Sequence, residues 1–538
     1  MMLDLLTATA SDLQDLLASQ QLRSVDLVEK YRAQIDTYDG YLHAVIQQAP
    51  RDLVLSRAMA LDKERQEGTL RGPLHGIPIL VKDNIATHPS LGMDTTAGSL
   101  ALKGSKPRQN ATVVQQLLDA GAIIIGKANL SELSYYKGTG LACGWSPVGG
   151  QTQSAYVRGG FRLDNDSFVG HSNTSGSSSG SAVSVAAGYA PFSLGSETEG
   201  SLISPSNRAA LYTLKPTMSI VPQAGVIPVA KLFDSVGPMT KSARDVALLM
   251  DVLVNPELTQ IPEGGYVTAA TGKWNGIRIG TVDPDVWGYE AEARRPQPGA
   301  EEQMLEETRS AYTKLQELAD SYQHHVPLIT EEAFEIDGKN AIMTLLSRLP
   351  FQQAGFSRPM RYLISVILTR KTTGHFIRPE FAEYMSTVTD SPISTMEDLI
   401  EFNKAHAEVE LPAENPKQDL LEESVSMNLS EAEVEAAIQH VRDVGRTRGI
   451  DKIFKEFNVN VIVGPAESGL TGFASATGYP IATLPLGYLD FNGRPHGLAA
   501  IAGPHQDALL IQLQSAWEAS TAPRKPPVLQ PEWAHYQS

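Results

Sequence analysis

Apolar positions through residues 1–70 recur at helical spacing. Leu13, Leu16 and Leu17 follow a capping-box pattern at Ser11-Asp12-Leu13-Gln14, and Val25, Val28, Tyr31 and Ile35 follow Ser24, which predicts two amphipathic helices; a third runs over Ala58 to Gln66 and ends near Gly68. The period then changes. Gly72-Pro73-Leu74-His75-Gly76 is turn chemistry that delivers the chain into Ile77 to Val81, a run too short for a helix and read as a buried strand. Thr112-Val113-Val114-Gln115 opens a helix to Ala120, Gly121 stops it, and Ala122 to Ile125 reads as another buried strand. Helix-to-strand alternation of this kind points to an α/β sheet.

Later segments repeat the alternation. Ala182, Val183, Val185, Ala186 and Ala187 predict a short, tightly packed helix ended by Gly188. Ser242-Ala243-Arg244-Asp245 caps a helix carrying Val246, Leu249, Met250 and Leu253; Ser430 and Glu433 cap one that runs toward Arg446, and Val459 to Val463 reads as a strand. Between about Asn255 and Asn428 the regularity fades. Acidic stretches, Glu301 to Glu307 and Glu408 to Glu423, flank an apolar stretch with basic residues, Arg348 to Arg378, and these read as helices over a cleft or as solvated faces.

Composition narrows the function classes. The 538 residues include 44 Lys and Arg against 61 Asp and Glu, a formal net charge of −17 that repels phosphate backbones and anionic lipid, so neither nucleic acid nor a membrane surface is expected as a partner. A single cysteine, Cys143, leaves no intrachain disulfide, and MMLDLLTATA lacks the basic region and apolar core of a secretory signal, so a cytoplasmic location is expected. Nor does any apolar run approach the ~18 residues of a membrane span. Asn110-Ala111-Thr112 matches a glycosylation acceptor, taken as chance without a secretory signal.

Thr174 to Thr217 holds the candidate chemistry. Five serines and two glycines fill Ser175 to Ser181, and Gly200-Ser201 follows the small-residue helix. Gly/Ser runs serve as flexible linkers, yet a linker does not lead straight into a buried helix, whereas glycine-rich loops can turn N–H groups toward a developing negative charge. Lys82, directly after the first strand, reads either as a surface lysine paired with Asp83 or as an amine at the buried rim of a sheet, where desolvation lowers its pKa and makes it a usable base.

Near misses are set aside on local grounds. Gly121 to Ala128 matches most of a phosphate-loop pattern, but its interior is strand and Ala128 stands at the Ser/Thr position; Gly138-Thr139-Gly140-Leu141-Ala142-Cys143-Gly144 departs from the dinucleotide fingerprint at Cys143. Gly176-Ser177-Ser178-Ser179-Gly180 satisfies Gly-x-Ser-x-Gly and nominates Ser178, with His496 or His505 as base, although the polar run Asp164 to Asn173 ahead of it lacks the strand that elbow needs. None of the 12 histidines makes a His-x-x-x-His pair.

Three ordered motifs resemble the amidase signature enzymes: Gly76-Ile77-Pro78-Ile79-Leu80-Val81-Lys82-Asp83-Asn84; then Ser175-Gly176-Ser177-Ser178-Ser179-Gly180-Ser181; then Ser196-Glu197-Thr198-Glu199-Gly200-Ser201 with Thr213-Leu214-Lys215-Pro216-Thr217. Residues 10–255 and 430–515 carry the likeness. It implies an α/β fold with a large mixed sheet covered by helices on both faces, and one amidase domain over 1–538. Within that domain it implies an N-terminal helical layer (1–70), a catalytic core (71–255 and 430–515), a substrate-covering insertion (256–429) and a C-terminal tail (516–538).

The resemblance further implies cofactor-free amide hydrolysis through an acyl-enzyme. Ser201 would be the nucleophile, Ser177 on a cis peptide bond the proton relay, Lys82 the base, and the backbone N–H groups of Thr198, Glu199, Gly200 and Ser201 the oxyanion hole. Departures stand at Glu199, Ala210 and Thr213, where the family commonly has glycine, and at Ile203, a frequent arginine position. Asn129-Leu130-Ser131-Glu132-Leu133, Gly144-Trp145-Ser146 and Gly149-Gly150-Gln151-Thr152 resemble the peptide amidase branch, so the expected substrate is a small primary amide or a peptide C-terminal amide, handled by a monomer or homodimer. The alternative is a glutaminase-like subunit resembling the amidotransferase that corrects misacylated tRNA, active with partner chains.

Overall fold

The apolar run ahead of Lys82 forms a strand buried along its whole length within an eleven-stranded sheet. The computed structural model of the chain describes residues 3–167, 170–287, 297, 299–328 and 374–534, with the backbone of 335–336 and 339–340. In chain order the strands of this sheet are β1 (Val45–Gln48), β2 (Pro78–Lys82), β3 (Ile123–Ala128), β4 (Phe192–Glu197), β5 (Tyr212–Lys215), β6 (Ser235–Thr240), β7 (Arg278–Thr281), β8 (Ser321–Gln323), β9 (Val461–Pro465), β10 (Ile481–Tyr488) and β11 (Pro495–Ala502). Their spatial order is β1-β3-β2-β4-β6-β5-β10-β11-β9-β7-β8. The sheet is mixed: β3, β2 and β4 run parallel, as do β9, β7 and β8, while the strands between them pair antiparallel.

Helices cover this sheet, and their boundaries show which local signals decide. Helix α1 (Ala10–Ala18) is capped by Thr9 with Asp12, not by Ser11, whose N–H and hydroxyl go to Asp245 Oδ1. Ser24 is the first residue of α2 (Ser24–Leu42) rather than its cap; the orphan N–H groups of Ser24 and Val25 are taken by Asp62 of α3 (Arg51–Gln66). Helix α4 (Thr112–Asp119) has no side-chain cap, correcting the box read at Thr112. Helix α5 (Ser179–Ala186) is buried at every position, which explains its small residues; α6 (Ile203–Asn207) is a short turn behind the second serine loop. Helix α7 (Ala243–Leu253) is capped by Ser242 as expected.

The divergent middle section contributes to the core as well as to its cover. It supplies β7 and β8, and the acidic run at Glu301 to Glu307 lies on α8 (Ala300–Leu318), which turns Ala311, Tyr312 and Leu315 inward. Most of the stretch Arg348 to Arg378 lies outside the described residues. Helix α9 (Glu431–Gly445) carries the predicted Ser430/Glu433 capping box, and α10 (Asp507–Ser520) buries Trp517 completely. The tail returns to the N-terminal helices, where Trp533 stacks on Tyr41 with centroids 4.5 Å apart.

Candidate active site

Register builds the site. In the parallel pairing of β2 with β4, Leu80 faces Ser193 and Val81 faces Leu194, so the next residue, Lys82, comes level with Gly195-Ser196 at the strand ends. Lys82 is completely buried, and its Nζ lies 2.7 Å from Ser177 Oγ, 3.0 Å from Ser196 Oγ and 3.2 Å from the Ser196 carbonyl oxygen. Burial pushes its pKa down from 10.5 to about 7, against the upward pull of the Asp234 and Glu197 carboxylates. A neutral amine offers two N–H donors and one lone pair. The Ser196 carbonyl and hydroxyl oxygens can take the two donors, which leaves the lone pair facing the Ser177 hydroxyl.

The surface-lysine reading is thereby corrected. Asp83 points to the other side of the strand, where its carboxylate faces buried Lys127 at 3.5 Å and accepts the Thr96 N–H at 3.0 Å. Alternation along a strand sends successive side chains to opposite faces.

Ser177 sits on a cis peptide bond, Gly176–Ser177, as the family resemblance implies, and its carbonyl accepts the Ser131 N–H at 3.0 Å. Two glycines hold this geometry for opposite reasons. At Gly180 a side chain would press on the Asn129 backbone nitrogen at 2.5 Å, whereas at Gly200 it would meet only side chains, Ser204 Oγ first at 3.2 Å, but the residue adopts φ 71°, a left-handed conformation that favours glycine.

Ser201 follows Gly200 and is 8% exposed; its carbonyl accepts the Ser178 N–H at 3.3 Å, which ties the two serine loops together. Beneath this loop the buried Glu197 carboxylate accepts N–H groups from Leu202 (2.7 Å) and Ile203 (3.0 Å), fixing the turn that presents Ser201. Thr198 and Glu199 are half-buried, and Thr198 Oγ1 donates to Asp234 Oδ1 at 2.5 Å. A narrow crevice lined by Asn84, Ser134, Ser196, Thr198 and Asp234 lies beside Lys82.

Ser178, the competing serine, is used internally. Its hydroxyl donates to the Ser196 carbonyl at 3.0 Å and accepts the Ser196 N–H at 3.2 Å, and among the described residues no strand leads directly into it. The histidines nominated with it are held elsewhere, His496 Nε2 at 2.9 Å from Glu307 and His505 Nδ1 at 3.0 Å from Thr259 Oγ1.

The departures from family glycines have local answers. Ala210 takes φ 51°, the conformation glycine would adopt there; Thr213 lies in β5 and satisfies its hydroxyl on the Pro238 carbonyl at 2.6 Å. Ile203 is fully buried against an apolar cluster that includes Leu470 and Ile481.

Four residues around Lys82 escaped the sequence reading: Ser196, Asn84, Glu197 and Asp234. Asn84 Nδ2 donates to Ser196 Oγ at 3.0 Å, orienting the hydroxyl that contacts Lys82. Three of them lie inside recognised motifs and could have been nominated. Asp234 is brought in by the β4–β6 pairing, in which Glu197 faces Ser235, and nothing local marks it. Among the described residues no group of three or more His, Cys, Asp or Glu side chains is arranged to hold a metal ion.

Known proteins resemble this chain along most of its length. The Amidase family model matches residues 26–469. A probable amidase of Arabidopsis thaliana, At4g34880, is 31% identical, with 97% of this chain and 91% of the relative covered. The solved structure of native peptide amidase from Stenotrophomonas maltophilia superposes with a TM-score of 0.77 at 30% identity, covering 97% of this chain and 98% of that one. One of the glutamyl-tRNA(Gln) amidotransferase subunits, from Chloroflexus aurantiacus, is 35% identical, over only 51% of this chain and 53% of its own.

Proposed function

The chain belongs to the amidase signature family and is an amide-hydrolysing enzyme, and from that premise we propose that it cleaves a carboxamide, best matched by the C-terminal amide of a peptide, through an acyl-enzyme on Ser201. The observation that carries this reading is the fully buried Lys82 amine, 2.7 Å from Ser177 Oγ, with its pKa pushed down to about 7. A hydroxyl is a weak nucleophile until a base takes its proton. Ser201 Oγ attacks the carbonyl carbon; its proton passes to Ser177 as the Ser177 proton passes to neutral Lys82. The oxyanion collects hydrogen bonds from the N–H groups of the Thr198–Ser201 loop, each such donor worth roughly 3–4 kcal/mol of barrier. The C–N bond then breaks, Lys82 returns the proton through Ser177 to the departing nitrogen, and ammonia leaves. Water repeats the sequence on the ester and releases the acid.

Peptide amides are favoured over free glutamine because the likeness to peptide amidase spans 97% of the chain, whereas that to the amidotransferase chain stops at about half. Ammonia release from N-acetylated peptide amides, short aliphatic amides and L-glutamine tests this. Turnover of the peptide amides that Ser201→Ala abolishes is expected; glutamine as the only substrate, or unchanged turnover in Ser201→Ala, would overturn it.

A further inference from the structure

A second cavity, of about 230 Å³, lies between α8 and the β9 and β11 strands, lined by Asn207, Met304, Leu305, Pro465, Glu467 and His496 among others; none of Lys82, Ser177 and Ser201 reaches it. Asn207 ends α6, six positions after Ser201, which places it on the order of 9 Å along the chain from the nucleophile by helical rise. Its side chain is 3% exposed, yet neither Nδ2 nor Oδ1 finds a hydrogen-bond partner among the described residues. Buried carboxamides are rarely left so, because an unmet donor and an unmet acceptor each cost free energy.

The charged groups around Asn207 are, by contrast, already engaged. Glu467 lies 2.5 Å from Arg208 Nε and 2.6 Å from Arg494 Nη1, Glu301 lies 2.9 Å from His171, and Asp285 lies 2.7 Å from Arg309. An anion would satisfy only Asn207 Nδ2 and would face these carboxylates. A cation would satisfy only Oδ1 and find the carboxylates neutralised. A neutral group with a donor beside an acceptor satisfies both atoms at once, and Met304, Leu305 and Pro465 supply an apolar wall next to it. We propose that this cavity is a second binding site, for a neutral carboxamide or peptide group carrying a small apolar side chain.

Two sources can deliver that chemistry: a substrate residue remote from the scissile amide, since two or three extended residues span this separation at 3.3–3.6 Å each, or a separate small amide. The first rests on the Ser201 reading; the binding claim itself does not. Calorimetric titration of N-acetyl-L-leucinamide into the full-length Ser201→Ala protein and into Ser201→Ala/Asn207→Leu tests binding without turnover. Asn207→Leu breaks no protein hydrogen bond, so the variant folds, which circular dichroism verifies. Affinity at one site is expected to fall roughly tenfold or more when the carboxamide is lost.

In the otherwise native enzyme, a KM that Asn207→Leu raises for two- and three-residue peptide amides but not for one-residue amides, with kcat unchanged, identifies the substrate source. Unchanged KM at every length, with one of two binding events lost in the titration, identifies a separate ligand. Identical titrations for both proteins together with unchanged KM at every length would overturn the proposal. Persistent turnover in Ser201→Ala would refute the acyl-enzyme reading while leaving the titration result to stand alone.

Discussion

Replacing Lys82 by methionine keeps the aliphatic stem and removes the amine, so activity and stability should move in opposite directions. The amine is completely buried, and burial lowers its pKa from 10.5 to about 7. In the unfolded chain the lysine keeps its proton up to its ordinary value; in the folded protein it loses the proton near neutrality. Between pH 7 and 10.5 the unfolded state therefore binds more protons, and the Lys82 contribution to stability rises with pH across that window. Below pH 7 the penalty is at its full size, about 5 kcal/mol for a displacement of this order.

Other buried lysines titrate in the same range, Lys127 and Lys215 at about 8 and Lys241 at about 7, so the quantity to read is the difference between parent and variant. Urea midpoints at pH 6 and pH 9.5 supply it: Lys82→Met should exceed the parent at pH 6, with the gap narrowing at pH 9.5. Ammonia release from an N-acetylated peptide amide should meanwhile fall by about ten-thousandfold with the base gone, roughly 5 kcal/mol of barrier. In the parent, log kcat/KM should climb with unit slope up to about pH 7 and then level, because only the neutral amine accepts a proton. A parent profile flat from pH 5 to 9, or a variant no more stable at pH 6, would refute the reasoning.

Asp234→Asn removes a carboxylate that holds the Lys82 pKa up, so the acidic limb of the pH–rate profile should move to lower pH, by less than about one unit. Ser178→Ala deletes a hydroxyl that bridges the Ser196 backbone; its urea midpoint should drop by the equivalent of about 1–3 kcal/mol while kcat/KM stays within a few-fold of the parent. Glu197→Gln weakens the charge-assisted bonds that fix the Ser201 turn, and kcat should fall by about tenfold at unchanged KM in the same ammonia assay.

The catalytic neighbourhood was legible because its signals are local. An apolar run followed by Lys82 reads as a strand with a lysine at its rim, and two serine loops around a small-residue helix read as a packed turn structure; the β2–β4 register needed only to bring them level. What escaped depends on partners distant in sequence. Ser11 and Ser24 look like caps, but Asp245 and Asp62 compete for the backbone and hydroxyl groups there. The strand Val45–Gln48 is too short and too polar to declare itself and is recruited by pairing with Ala128, Lys127 and Gly126. Strands Arg278–Thr281 and Ser321–Gln323 were hidden in the divergent section because each is only a few residues long, the first gaining its place from β9 and the second from β7. Asp234 and Asn207 gain meaning only from the surfaces they face.

The central claim is that a neutral Lys82, acting through Ser177, activates Ser201. Its most direct measurement is the mapping by mass spectrometry of a fluorophosphonate adduct on the parent and on Lys82→Met at neutral pH. A single adduct on Ser201 in the parent, and almost none in the variant, is the predicted result. An adduct on Ser178, or equal labelling of Ser201 without the Lys82 amine, would contradict the account.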